Sequence, residues 1–165
     1  MGGRTTVQIV GREAESTRLH DALRLAGQGQ PQVVLVAGDA GIGKTTLVAD
    51  LEQRASELGF ATARGQCLDI RAEIPLAPAV AAVRTLLAMI DGVEHKPHAR
   101  RMQQLLDPQT PHVEDFRLID DLRLTFLEAA STGPVLIVFE DLHWADASTQ
   151  DLVTTLAGTG MVACC

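Results

Sequence analysis

The hydrophobic positions of the chain form continuous apolar runs separated by segments with helical periodicity. The runs at 32–37 and 135–139 predict strands buried on both faces of a parallel sheet, because helices cover both sides of such a sheet. A further strand is predicted over 60–64. Apolar residues at helical spacing predict helices over 13–26, 44–58, 79–90, 98–106 and 116–130, and a short one that ends near 157. This alternation of strands and helices predicts an α/β fold.

The segment between the first predicted strand and its helix has the pattern of a phosphate-binding loop. It fits G-x-x-x-x-G-K-[ST], the Walker A motif, and consists of Gly38, Asp39, Ala40, Gly41, Ile42, Gly43, Lys44, Thr45 and Thr46. Its glycines let the backbone approach a phosphate, and the N–H groups at the start of the helix form an anion nest. We expect Lys44 to contact the β- and γ-phosphates, Thr45 to ligate Mg²⁺ and Thr46 to lie near the α-phosphate. The alternative is a glycine-rich turn of chance composition, which the flanking strand and helix disfavour.

Two acidic residues follow the apolar run at 135–139, as in a Walker B segment. A parallel strand carries Glu140 and Asp141 to the sheet edge at which the phosphate loop lies. By position, Glu140 takes the Mg²⁺ place, and Asp141 takes the place of the residue that orients or deprotonates the attacking water. The usual order has the shorter acid first and is reversed here, so both acids are candidates for metal binding and for catalysis. An ordinary acidic turn after a strand is the alternative.

The residues after the acidic pair add three weaker expectations. His143 is a candidate sensor of the γ-phosphate or a structural cap of the strand edge, and the structural role is favoured. Trp144 is predicted to be a packing anchor. Asp146 is predicted to cap the next helix.

Length and charge narrow the class of protein. A chain of 165 residues with 46% hydrophobic residues predicts one domain over 1–165 with a sizeable core. The formal net charge of −7 disfavours nucleic-acid binding by this segment. The first residues show no signal core and no apolar run is long enough for a membrane span, so a cytoplasmic location is expected. A disordered tail over 1–6 and an exposed connection over 91–114 are also expected.

Three motifs together resemble one family. Val-Gly-Arg-Glu at 10–13, the loop at 38–46 and Glu-Asp-Leu-His-Trp-Ala-Asp at 140–146 are similar to the AAA ATPase domain of STAND regulatory ATPases. This type of domain is found at the N-terminus of large LuxR-type transcriptional regulators. The resemblance covers about residues 8–157.

The resemblance implies more than the residues alone predict. It implies a P-loop NTPase fold, a three-layer α/β/α sandwich with a parallel sheet of the AAA/ASCE type. It makes Val10, Gly11 and Arg12 candidates for contact with the adenine of ATP or ADP. It also implies a slow Mg²⁺-dependent switch that can self-associate, with DNA binding confined to C-terminal domains that this sequence lacks.

Family members continue past the Walker B helix with another strand. In their sheet order this strand lies between the Walker A and Walker B strands, and here 161–165 offer only a stub of it. The chain is therefore expected to be a domain truncated after the Walker B helix. Such a truncation leaves backbone N–H and C=O groups of two strands without partners.

Three other functions are alternatives to an ATPase switch. A GTPase reads guanine with an Asn-Lys-x-Asp motif, and this chain contains no Asn. A small-molecule kinase would need an arginine-bearing lid, for which Arg100 and Arg101 are the candidates. A nucleotide-binding module or remnant without turnover is the non-enzyme alternative.

Overall fold

The computed structural model describes residues 12–39, 41–68, 75–107, 117–158 and 163–164. The elements in these ranges alternate between helices and short strands. In chain order they are α1 (Glu13–Gly27), α2 (Lys44–Glu57), β1 (Ala61–Gln66), α3 (Ala77–Met89), α4 (Pro97–Leu105), α5 (Leu118–Ala130), β2 (Val135–Glu140), α6 (Ala147–Gly158) and β3 (Ala163–Cys164). Short 3₁₀ helices cover Val93–His95 and Leu142–Trp144. The predicted helices and the strands after 60 and 135 are confirmed, with ends shifted by a few residues.

The strands form one parallel sheet in the order β1-β2-β3. Ala61 lies opposite Val135, and the pairing continues to Gln66 opposite Glu140. Parallel neighbours need a crossover, which α3, α4 and α5 provide between β1 and β2, and α6 provides between β2 and β3. The fold is therefore α/β with a parallel sheet, as predicted.

Alternate residues of β2 enter two different hydrophobic clusters. Leu136 and Val138 pack with buried residues of α1 and α2, whereas Ile137 and Phe139 pack with those of α3 to α6. Successive strand side chains point to opposite faces, so helices cover both faces of β2. This explains why the sequence of β2 is continuously apolar.

The predicted strand over 33–37 is wrong in this structure. Residues 31–39 have no regular secondary structure, and none of them pairs with a strand of the described sheet. Leu35 is 70% exposed and Val33 is 43% exposed. An apolar run forms a buried strand only when a neighbouring strand accepts its backbone hydrogen bonds, and this partner is missing among the described residues.

The described part of the stretch over 91–114, for which an exposed connection is expected, carries buried apolar positions. Val93, Ala99 and Met102 are fully buried. Glu128 of α5 accepts hydrogen bonds from the backbone N–H groups of His98 and Ala99 at the start of α4. Buried apolar contacts and this capping carboxylate hold α4 against α5.

Several expectations concern residues outside the described ranges. These are the tail over 1–6, Val10, Gly11, Ala40 and the part of the connection over 108–114. Of the expected stub over 161–165, only β3 is described, where Ala163 and Cys164 pair with Ile137 and Val138. Within the described ranges, no helix has the length and apolar character that a bilayer span requires.

Candidate nucleotide-binding site

The phosphate loop has a backbone that suits glycine and leaves a helix start uncapped. Gly41 and Gly43 have φ angles of 78° and 93°, in the left-handed region that side chains disfavour. Gly43 directly precedes α2, and no side chain caps the helix N-terminus. The first N–H groups of α2 therefore lack partners within the helix, which favours an anion there.

Lys44 folds back onto the loop that precedes it. Its Nζ donates hydrogen bonds to the carbonyl oxygens of Gly38 at 2.6 Å and Asp39 at 3.0 Å. The lysine is the first residue of α2, so its ammonium group lies where the loop meets the helix. The positive charge is thus held at the proposed phosphate position.

The acidic pair lies where β2 ends. Glu140 is the last strand residue, and its side chain is 17% exposed. Asp141 is exposed and has φ and ψ angles of 56° and 41°, in the left-handed region that non-glycine residues rarely adopt. Such backbone strain is concentrated at functional sites.

One cleft of about 820 Å³ joins the two motifs. Its lining includes Gly38, Gly41, Gly43, Lys44 and Thr45 from the loop side, and Glu140, Asp141 and His143 from the end of β2. Exposed Leu35 and the neighbouring Val36 form part of its wall. The cleft is large enough for a small-molecule ligand.

Four other predicted site residues are described but do not line this cleft. They are Arg12, Asp39, Ile42 and Thr46. Asp39 still contributes through its carbonyl oxygen, which accepts from Lys44. Arg12 directly precedes α1, where its carbonyl oxygen accepts from the Ser16 N–H. Val10, Gly11 and Ala40 lie outside the described ranges.

Of the residues after the acidic pair, His143 lines the cleft and Asp146 stabilises a helix. His143 lines the cleft, and its ring lies 5.0 Å from that of Trp144. Trp144 is 49% exposed, so its prediction as a packing anchor is wrong. Asp146 does cap α6, because its Oδ1 accepts from the Thr149 N–H at 3.0 Å.

Sequence reasoning missed Arg64, which contacts Glu140 of the site, and Glu52, which pairs with Arg64. Arg64 of β1 donates through Nη1 to Glu140 Oε2 at 2.7 Å, and through Nε to Glu52 Oε1 at 3.1 Å. Its Nη2 also pairs with Glu52. The hydrogen bond to Glu52 raises the pKa of Arg64, and burial opposes this rise. The signal available in the sequence was a lone arginine in a predicted strand of the sheet that carries Glu140.

Two groups near the end of β1, Cys67 and Asp146, have shifted pKa values. Burial, together with the negative charges of Asp146 and Asp141, raises the pKa of the Cys67 thiol to about 11. For Asp146, burial favours the neutral form, but hydrogen bonds from Thr149, Leu76 and Ser148 outweigh it and lower the pKa. The thiol therefore stays neutral while the carboxylate stays charged.

The residues that line the cleft suit a nucleotide with a magnesium ion. The uncapped helix start and Lys44 offer donors and positive charge for phosphates, while Thr45 and Glu140 offer oxygen ligands. Among the described residues, no three His, Cys, Asp or Glu side chains converge as a metal site. This donor set matches Mg²⁺, which uses one or two protein ligands and completes its shell with phosphates and water.

A second cleft of about 770 Å³ lies between α1 and α2. His20 and Ser16 each contact Asp50 Oδ2 at 2.9 Å and so link the two helices. None of the loop residues and neither acid of the pair lines this cleft. It is therefore a helix–helix groove outside the candidate site.

Comparison with known proteins agrees with a nucleotide-binding site in this cleft. An uncharacterized protein of Rhizobium meliloti (strain 1021), R02095, is 30% identical across 92% of this chain. The chain spans only 17% of the length of that relative. No solved structure matches the chain with significance. The family described as the AAA ATPase domain matches residues 8–161, and the chain belongs to this family.

Proposed function

We propose that this domain binds ATP with Mg²⁺ and hydrolyses it slowly, as the switch module of a signalling or transcription regulator. The observation that carries the proposal is the cleft that Lys44 and Thr45 line together with Glu140 and Asp141. Nucleotide binding and ATPase activity are also what membership of the AAA ATPase domain family suggests. The regulatory role rests on the resemblance to STAND ATPases.

The loop and the start of α2 hold the phosphates in this proposal. The backbone N–H groups of Gly41, Gly43 and the first turn of α2 donate to phosphate oxygens, and the helix dipole adds to this attraction. Lys44 exchanges its bonds with Gly38 and Asp39 for the β- and γ-phosphates. Thr46, at the third position of α2, lies near the α-phosphate.

The metal and water roles fall to Thr45 and the acidic pair. Thr45 and Glu140, which line the cleft, would hold Mg²⁺ directly or through water. When bound, Mg²⁺ neutralises charge on the phosphate oxygens and so favours attack at phosphorus. Asp141 orients the attacking water and accepts its proton. The left-handed backbone of Asp141 aims this carboxylate from a fixed position directly after β2.

The remaining parts of the proposal rest on the resemblance. Val10, Gly11 and Arg12 contact the adenine. Residues 1–165 form one ATPase domain whose layers, with helices on both faces of β2, follow the three-layer P-loop plan. As a module of a larger regulator, the domain self-associates in the cytoplasm, and separate C-terminal domains bind DNA.

Phosphate release with Asp141→Asn tests the hydrolytic part. Loss of a general base should lower the rate by about 10²- to 10⁴-fold while ATP binding is retained. The matched control is Asp151→Asn, an exposed aspartate of α6, which should leave the rate unchanged. An unchanged rate in Asp141→Asn would remove Asp141 from the mechanism.

Binding without turnover is the second candidate function. It is favoured by the hydrogen bond of Arg64 to Glu140, which engages an oxygen that Mg²⁺ would use. ATP binding by the wild-type chain with no phosphate release would decide for this candidate. The kinase alternative is weakened at Arg101, one of its two candidate lid arginines. The Nε of Arg101 donates to buried Asp121 at 2.6 Å.

A further inference from the structure

Arg64 contacts one residue of the candidate site, Glu140, and one residue outside it, Glu52. One of its nitrogens, Nη1, is 2.7 Å from Glu140 Oε2 at the end of β2. Its Nε is 3.1 Å from Glu52 Oε1 of α2, and Nη2 contacts the same carboxylate. One guanidinium group thus bridges the helix that begins with Lys44 and the strand that ends with Glu140.

The register of the sheet explains this arrangement. Arg64 lies opposite Val138, and Glu140 follows Val138 by two residues, so all three side chains share one face of the sheet. The same face packs against α2, because Val138 clusters with Leu51 of that helix. Glu52 is therefore within reach of an arginine at position 64.

The charges of Arg64, Glu52 and Glu140 together affect how strongly Glu140 attracts a metal ion. Arg64 carries one positive charge and faces two carboxylates, so the cluster has a net charge of about −1. The hydrogen bond to Arg64 takes up Oε2 of Glu140 and neutralises part of its charge. The side chains of Arg64, Glu52 and Glu140 are 38%, 21% and 17% exposed, so solvent screens these interactions only in part.

We propose that Arg64 is a positioning residue that competes with Mg²⁺ for Glu140 and thereby sets the magnesium requirement of the ATP site. The inference rests on the proposed function, because it needs Glu140 to face bound Mg²⁺·ATP. Glu52 moderates the competition by holding Arg64 with a second carboxylate. Changes in these two residues therefore shift the magnesium requirement in opposite directions.

The test is a titration of Mg²⁺ at fixed ATP, read as ATP binding rather than as turnover. Arg64→Gln makes the cluster more negative and should lower the half-saturating Mg²⁺ concentration by about three- to tenfold. Arg64→Lys keeps the charge and should restore most of the wild-type value. Glu52→Gln leaves Arg64 to Glu140 alone and should raise the half-saturating concentration by about two- to fivefold. ATP binding in EDTA should be similar in all variants.

Arg54→Gln is the matched control. Arg54 pairs with Glu57 on α2 with a comparable exposure, 48%, and neither residue lines the cleft. This variant should keep the wild-type magnesium requirement. A purely structural role of Arg64 would instead weaken ATP binding with and without Mg²⁺ and would not give shifts of opposite sign.

The outcomes separate the inference from the proposed function. If wild-type protein binds ATP but Arg64→Gln and Glu52→Gln leave the magnesium requirement unchanged, the inference is overturned and the proposed function stands. If folded wild-type protein binds no ATP, both are overturned. If Arg64→Gln fails to fold, Glu52→Gln alone decides, because a requirement that stays the same or falls contradicts the competition.

Discussion

The Lys44 ammonium nitrogen lies 2.6 Å from the carbonyl oxygen of Gly38, so the lysine at the start of α2 closes the phosphate loop on itself. A second bond to the Asp39 carbonyl oxygen, at 3.0 Å, reinforces this closure. A phosphate that enters the loop offers the ammonium group a charged acceptor in place of two neutral ones. Charge-assisted hydrogen bonds are the stronger kind, so the exchange favours the bound state.

Lys44→Ala should loosen the loop even without nucleotide. The two lost hydrogen bonds are exposed, so the free energy of unfolding should fall by no more than about 1 kcal/mol. Hydrogen exchange of the amides at 41–43 should nevertheless become faster. Exchange rates measured by mass spectrometry test this, and an unchanged rate would show that the lysine does not restrain the loop.

Gly65 should tolerate no side chain. A Cβ atom at this position would lie 2.3 Å from the carbonyl oxygen of Pro78, which is backbone and cannot rotate away. Gly65→Ala should therefore lower the free energy of unfolding by about 1–3 kcal/mol through a forced shift of β1 from α3. Urea unfolding measures this loss. Gly133→Ala is the control, because a Cβ there meets nothing within 4 Å, and an equal loss in both variants would refute the steric cause.

Asp146 should stabilise the fold in a pH-dependent way. It caps α6 through the Thr149 N–H and also accepts from the Leu76 N–H at 3.3 Å. Asp146→Ala should cost about 1–2 kcal/mol at pH 7. Asp120→Ala, which removes a carboxylate that is 73% exposed, should cost less.

The sign of the pH effect follows from the lowered pKa of Asp146. A carboxylate whose pKa is lower in the folded state contributes its full electrostatic stability above its unfolded pKa of about 3.9. This contribution is lost as the pH falls below that value and through the folded pKa. The stability difference between wild type and Asp146→Ala should therefore be smaller at pH 3 than at pH 7, and a larger difference at pH 3 would contradict the shift.

Cys67 should be unreactive in the folded protein. It is 2% exposed, and burial together with the negative charges of Asp146 and Asp141 raises its pKa to about 11. A rise of two units lowers the thiolate fraction at pH 8 by about a hundredfold. Alkylation resolved by peptide mass spectrometry should label Cys67 only after unfolding. Rapid labelling of the native protein at this residue would show that the end of β1 is open to solvent.

The sequence predicted those features that depend on local pattern. The Walker A loop was recognisable because glycines, a lysine and a helix start occur at fixed spacing, and the described part of it lines the cleft with Glu140 and Asp141. Leu35 was misjudged because an apolar run reports a tendency to be buried but not the neighbour that covers it. It is 70% exposed, in a segment that forms no strand of the described sheet.

Features that depend on tertiary contacts were missed. The contact of Arg64 with Glu140 depends on the register that places Arg64 opposite Val138. Register cannot be deduced from the sequence of a single strand. Met102 lies in a polar, proline-flanked stretch that predicted exposure. It is nevertheless fully buried, because α4 docks onto α5 through Glu128 and Asp121.

Titration calorimetry of ATP with Mg²⁺ into the wild-type chain, Lys44→Ala and Lys96→Ala tests the central claim most directly. Lys96 is the other lysine of the chain and precedes α4, so its removal makes the same change in net charge outside the cleft. The account predicts that wild type and Lys96→Ala bind ATP alike and that Lys44→Ala binds at least about tenfold more weakly. Equal binding by Lys44→Ala and wild type, or no binding by folded wild type, would contradict it.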